Sequence, residues 1–210
     1  MPSCFLVHGA SSPEHSAPMM RAVGRHVAAR GYIAQAFDYD STGIIMVMTL
    51  VDQRNVRLKW LGADLAARVR PGDAIIAYSM GCTIAYYAIA LSAAPCSTLV
   101  LLAPNLDPDV EFPQNGPLKK IAVWYGESGG GPLQAAEWQG FPFHRINAMG
   151  SMGISGPDRD LVARDGRYVL HNKMKDFDRR FPSHDVLQTA ADAEYLGPRI
   201  AADLPDLSGS

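Results

Sequence analysis

The sequence lacks the features that mark several large classes of protein. It has no apolar run of about 18 residues, the length that a membrane-spanning helix requires, and its longest uninterrupted apolar run covers only residues 84–91. Lys and Arg total 19 against 21 Asp and Glu, so we expect no basic surface for a nucleic acid. Histidine and cysteine pairs at the spacing of a metal site are also missing, and we expect neither a metal nor a cofactor.

Cysteine is scarce, and its distribution bears on location. Cys4, Cys82 and Cys96 are an odd number of thiols, widely spaced, and each lies in apolar sequence. This pattern predicts buried free thiols in a reducing compartment, with the cytoplasm as the expected location. The N-terminus has neither a basic leader nor a long apolar stretch with a cleavage site, and we expect it to be the first strand of the mature fold.

Apolar residues are plentiful enough for a full core. They make up 48% of the 210 residues, against 19% charged residues, and the length fits a single domain over residues 1–210. Short apolar runs alternate with helical patterns, which predicts an α/β fold of parallel strands joined by crossover helices. The predicted strands are near-continuous apolar runs, as expected where both faces are covered: Cys4–His8, Ile33–Asp38, Ala74–Ser79, Thr98–Ala103, Ile121–Tyr125 and Phe143–Met149.

Helix signals lie between and after these strands. Ser16 is predicted to cap the first helix, with Pro18 in its first turn. The later helices are predicted at about Val51–Val69, Gly81–Ser92 and Asp185–Leu196. Residues 150–183 show no regular pattern, and a stretch of this length inside a compact domain is usually functional. We interpret it as an insertion near the active site.

The segment AIIAYSMGC, residues 74–82, carries the clearest chemical signal. An apolar strand ends at Ser79, and a helix begins two residues later. A serine there lies on a sharp turn above the carboxyl end of the strand, beside a helix N-terminus that favours negative charge. Ala77 and Gly81 are the small residues that such a turn needs, because it brings the strand and helix backbones together. The alternative is that Ser79 only caps the helix, and for this segment alone the two interpretations weigh about equally.

Residues 77–81, A-Y-S-M-G, resemble the nucleophile elbow G-x-S-x-G of the α/β-hydrolase superfamily, with Ala77 in place of the first glycine. Two other segments carry the same resemblance. FLVHGASS, residues 5–12, is similar to the family strand that ends in His-Gly. ARGYIAQAFDYDSTG, residues 29–43, is similar to the family pattern of helix end, Gly-Tyr, strand, Asp and Gly. The resemblance covers residues 3–127 and resumes at a C-terminal histidine.

The resemblance implies a three-layer α/β/α sandwich of about six mainly parallel strands, without the family's first hairpin. It also implies that Ser79 is the nucleophile and that the amides of Met80 and Ala10 bind the oxyanion, with Ser11 as the alternative to Ala10. Ser11 and Tyr78 are the residues that we expect to contact the substrate. His8 is interpreted as a residue that shapes the turn and not as a catalytic one.

The base and the acid follow from the family order of serine, acid and histidine. His184 comes directly before the last predicted helix, where the family has its histidine, and we prefer it to His171. Glu127 follows the strand IAVWYGE and is the preferred acid. Asp107 is the second choice, and Asp109 lies in the same loop.

The resemblance therefore implies hydrolysis of a small carboxylic ester or thioester through an acyl-Ser79 intermediate, with His184 as the general base. Amides and lactones are cleaved with the same parts. Two alternatives stay open. One is a catalytically silent binding protein of this fold, and the other is an acyltransferase that uses the same serine.

Overall fold

A computed structural model of the chain describes residues 1–9, 13–40, 51–104, 106, 110–113, 116–125, 168–172 and 190–209. Strands and helices alternate through these residues. In chain order they are β1 Ser3–Val7, α1 Pro13–Ala28, β2 Ile33–Phe37, α2 Val51–Arg68, β3 Ala74–Tyr78, α3 Met80–Ala90, β4 Thr98–Leu102, β5 Lys120–Tyr125, β6 Tyr168–Asn172 and α4 Ala190–Ala201.

The strands form one six-stranded sheet in the order β2-β1-β3-β4-β5-β6. Every neighbouring pair is parallel. The central strands β3 and β4 are buried along their whole length, as their continuous apolar sequences predict for strands covered on both faces. Because the strands are parallel, their carboxyl ends meet at one edge of the sheet, where ligands of open α/β sheets bind.

Helices cover both faces of the sheet. Side chains such as Phe5 and Ile75 belong to a buried cluster that includes residues of α2 and α3. Their neighbours Leu6 and Ile76 point to the opposite face, where a second cluster includes residues of α1 and α4. This alternation follows from the period of two along a strand. The predicted α/β class and three-layer arrangement are confirmed.

The start of the first helix differs from the prediction. Helix α1 begins at Pro13, so Ser16 lies inside it and is not the N-cap. Proline fits the first position of a helix because its fixed φ suits the helix and the amide there needs no partner within the helix. Pro18 also lies inside α1. The second and third helices agree with their predicted bounds to within two residues.

The sixth strand of the described sheet, Tyr168–Asn172, was not predicted from the sequence. Tyr168–Asn172 pairs with β5, with Ile121 opposite Tyr168 and Tyr125 opposite Asn172. The predicted strand Phe143–Met149 lies outside the described residues. The short run Tyr168-Val169-Leu170 falls within the predicted insertion 150–183, which therefore contains a strand of the main sheet.

The last helix extends further than predicted. Helix α4 ends at Ala201 and continues through Gly197 and Pro198, beyond the predicted end at Leu196. Gly197 faces α1 so closely that a Cβ there would lie 3.1 Å from Nε2 of His26 and nearer still to its Cδ2. The glycine therefore serves the packing of α4 on α1 and does not end the helix.

Candidate active site

Ser79 lies at the junction between β3 and α3 in a conformation that is rare for a residue with a side chain. Its φ is 54° and its ψ is −121°. Its amide donates to the carbonyl oxygen of Leu102 in β4 at 2.9 Å, and its carbonyl accepts from the amide of Cys82 at 3.0 Å. Within the described first turn of α3, the Ser79 side chain makes no capping hydrogen bond. The interpretation of Ser79 as a helix cap is therefore wrong.

Gly81 allows the first turn of α3 to press against the end of β1. A Cβ at Gly81 would lie 2.6 Å from the carbonyl oxygen of Val7 and closer still to that of His8. Both are backbone atoms and cannot turn aside. The predicted need for a small residue at this position is confirmed.

Gly9 brings the segment after β1 against the Ser79 side chain. A Cβ at Gly9 would lie 2.9 Å from Cβ of Ser79 and 3.4 Å from its Oγ. Met80 begins α3 and is buried, and an amide in the first turn of a helix has no acceptor within that helix. The nucleophile candidate thus lies between the start of α3 and the segment that follows β1.

His8 and Tyr39 form a buried pair behind this segment. Their rings stack with centroids 4.1 Å apart and planes 5° apart. The Tyr39 hydroxyl donates to the carbonyl oxygens of His8 at 2.6 Å and of Gly9 at 3.1 Å. His8 Nδ1 donates to the Gly9 carbonyl at 2.8 Å. Burial lowers the pKa of His8, and this effect outweighs the neighbouring carbonyls and Asp38, which raise it.

Tyr39 was not among the predicted site residues. It lies two residues after Phe37, which ends β2 at the carboxyl edge of the sheet, beside the end of β1. His8 was predicted to shape the turn, and its hydrogen bond to Gly9 agrees with that role.

Several predicted site residues lie outside the described residues: His184, Glu127, Asp107, Asp109, Ala10 and Ser11. His171 lies in β6, where its backbone is opposite Trp124. Tyr78 ends β3 directly before Ser79 and is buried. The described part of the site is therefore the nucleophile candidate with the backbone on either side of it.

The cysteines do not compete with Ser79 as nucleophiles. Cys4, Cys82 and Cys96 are free and buried, and burial raises the pKa of Cys96 to about 12. Burial likewise raises the pKa of Cys4 well above its usual range. The described parts of the chain contain no group of three His, Cys, Asp or Glu residues that could hold a metal ion. None of the helices there is long and apolar enough to cross a membrane.

Comparison with known proteins gave matches among solved structures only. No family model and no curated protein matches the sequence. The chain resembles α/β hydrolases in its structure. One similar structure is a candidate hydrolase of the alpha/beta superfamily from Xanthomonas campestris pv. campestris, 17% identical with a TM-score of 0.48, the match covering 97% of this chain and 100% of that one. Another is the Bacillus cereus carboxylesterase, 12% identical with a TM-score of 0.48, the match covering 97% of this chain and 89% of that one. At these values the likeness assigns no activity to this chain.

Proposed function

We propose that this protein is a serine hydrolase that cleaves a small carboxylic ester or thioester through an acyl-Ser79 intermediate. The observation that carries the proposal is the backbone of Ser79, with φ 54° at the turn from β3 to α3. A residue with a side chain pays about 1–3 kcal/mol for such a conformation, which is found mainly at functional sites. The Ser79 side chain does not cap α3, so helix capping does not account for this conformation.

The proposed reaction has two steps. Oγ of Ser79 attacks the carbonyl carbon while its proton passes to the imidazole of His184. The amides of Met80 and Ala10 donate to the oxyanion, and the departing alcohol or thiol takes the proton from His184. Water then attacks the acyl-Ser79 ester by the same route and releases the acid and the free serine. Glu127 stabilises the imidazolium in both steps.

Labelling with a fluorophosphonate probe tests the nucleophile. We expect Ser79→Ala to abolish labelling and to lower turnover of a nitrophenyl ester by several orders of magnitude, about 10⁶-fold for a complete loss of the serine. Ser92→Ala, at an exposed serine after α3, is the matched control and should label like the natural protein. Full labelling of Ser79→Ala would contradict the proposal.

Paired substitutions test the base and the acid. We expect His184→Ala to cost about as much activity as Ser79→Ala because the two residues act as one unit, while His171→Ala stays active. An inactive His171→Ala together with an active His184→Ala would reverse the assignment.

Glu127→Gln should impair turnover severely without abolishing it. If Glu127→Gln leaves turnover unchanged and Asp107→Asn lowers it strongly, the acid comes from the earlier loop.

Two further parts of the proposal concern the setting of the reaction. We propose that residues 150–183 outside β6 line the substrate pocket, so aromatic-to-alanine changes such as Phe177→Ala should shift the preferred acyl or alcohol group.

Free, buried cysteines favour a reducing compartment such as the cytoplasm. An assay with added alcohol separates a hydrolase from an acyltransferase, since only the latter gives mainly a new ester.

A further inference from the structure

The carbonyl groups of His8 and Gly9 are held by an unusual concentration of hydrogen bonds. The Gly9 carbonyl accepts from Nδ1 of His8 and from the hydroxyl of Tyr39, and the same hydroxyl also donates to the carbonyl of His8. His8 is 2% exposed and Tyr39 is 6% exposed. Stacking of the two rings holds each donor in its place. The pair therefore fixes the direction in which the Gly9 carbonyl points.

The direction of that carbonyl has a consequence for the amide that follows it. A peptide group is planar and trans, so its N–H points away from its own C=O. The amide in the Gly9 peptide group belongs to residue 10. Gly9 itself lies against the Ser79 side chain, so the carbonyl that the pair fixes belongs to a neighbour of the candidate nucleophile.

We propose that His8 and Tyr39 are positioning residues that fix the Gly9 carbonyl beside Ser79. This inference rests on the proposed function, in which the amide of the next residue, Ala10, is an oxyanion donor. Neither side chain of the pair takes part in the bond changes of that reaction. The contribution of the pair is to hold the backbone at Gly9 before the reaction, because donors held in advance stabilise a developing charge without reorganising.

The second ring nitrogen of His8 argues against a purely packing role. Nε2 is buried and has no hydrogen-bond partner among the described residues. A buried polar atom without a partner lowers stability, so an apolar side chain would suit this position better if packing were its only purpose. The histidine is explained by its other nitrogen, Nδ1, which donates to Gly9.

The test compares conservative variants of the pair with a buried tyrosine elsewhere. Tyr39→Phe removes only the hydroxyl, and His8→Phe keeps a ring for stacking but removes Nδ1. Tyr32→Phe is the matched control, because Tyr32 is 2% exposed and lies at the opposite, amino end of β2. For each variant we measure kcat and KM on a nitrophenyl ester, the inhibition constant of a trifluoromethyl ketone that forms a tetrahedral adduct, and the melting temperature.

We expect Tyr39→Phe and His8→Phe to lower kcat roughly 10- to 100-fold with little change in KM, and to weaken the ketone by a similar factor. Their double variant should lose less than the product of the two single losses, since both act on one carbonyl. Tyr32→Phe should match the natural protein. An unchanged kcat in Tyr39→Phe, or a loss of kcat that does not extend to the ketone, would overturn the positioning role. Failure of the natural protein to label at Ser79 would instead overturn the proposed function.

Discussion

At Ser79, φ of 54° and ψ of −121° carry a cost for any residue with a Cβ. Glycine bears no such cost, so the free energy of unfolding of Ser79→Gly should be about 1 kcal/mol higher than that of Ser79→Ala. Urea unfolding followed by circular dichroism measures the difference. Two alanine-to-glycine changes are the controls. Ala93→Gly, at an exposed residue with φ 52°, should also stabilise, and Ala85→Gly inside α3 should destabilise. Equal stability of the two Ser79 variants would show that the turn stores no strain.

The position of Ser79 at a strand-to-helix turn was predictable because its sequence signal is local. Ser79 stood out because an apolar strand, a serine and a glycine occur together within a few positions. Tyr39 did not stand out, because its role depends on contacts with His8 and Gly9, about 30 positions away in the sequence. The residues around a tyrosine that follows a strand do not show whether its hydroxyl donates to a distant carbonyl or is exposed to solvent.

Among the elements, the contact of α3 with β1 depends on one glycine. A Cβ at Gly81 would meet the carbonyl oxygens of Val7 and His8, so Gly81→Ala must push α3 away from the strand. We expect a loss of about 3 kcal/mol in the free energy of unfolding and a strong loss of Ser79 labelling. Gly24→Ala in α1 is the control, because its Cβ would meet only side-chain atoms at 3.3 Å. A stable, fully labelled Gly81→Ala would refute this account of the junction.

Element boundaries show where local signals fail. Pro13 and not Ser16 begins α1, and α4 passes through Gly197 and Pro198 although the pair is typical of a helix end. In α4, Gly197 leaves space for the ring of His26 on α1. Tertiary packing overrides the local preference in that case, and a single sequence carries no record of which helix lies opposite.

For the molecule as a whole, the parallel sheet with two helical layers follows from the alternation of apolar runs and helical patterns. The sixth strand did not, because Tyr168-Val169-Leu170 is a short apolar run among glycines and charges. Only its pairing with β5 identifies it as part of the sheet. Ser79 and Gly81 lie at the tight turn that the sequence predicts, whereas the nucleophilic role of Ser79, the base and the acid stay predictions.

Asp203, which follows α4, connects the helical layer of α1 and α4 to the sheet by hydrogen bonds. Its carboxylate accepts from Nε1 of Trp124 at 2.8 Å and from Nζ of Lys120 at 3.2 Å, both in β5. Asp203 is 5% exposed, so its removal leaves a buried indole N–H without this acceptor.

We expect Asp203→Ala to lower the free energy of unfolding by about 3 kcal/mol. Asp203→Asn, which keeps an acceptor but loses the charge, should lower it by roughly half as much. Asp206→Ala, at an exposed carboxylate nearby, is the control and should unfold like the natural protein. Ser79 should still be labelled in the folded fraction of every variant, because Asp203 contacts β5 whereas Ser79 follows β3. Urea unfolding of Asp203→Ala at the same midpoint as the natural protein would show that this contact does not hold the layer in place.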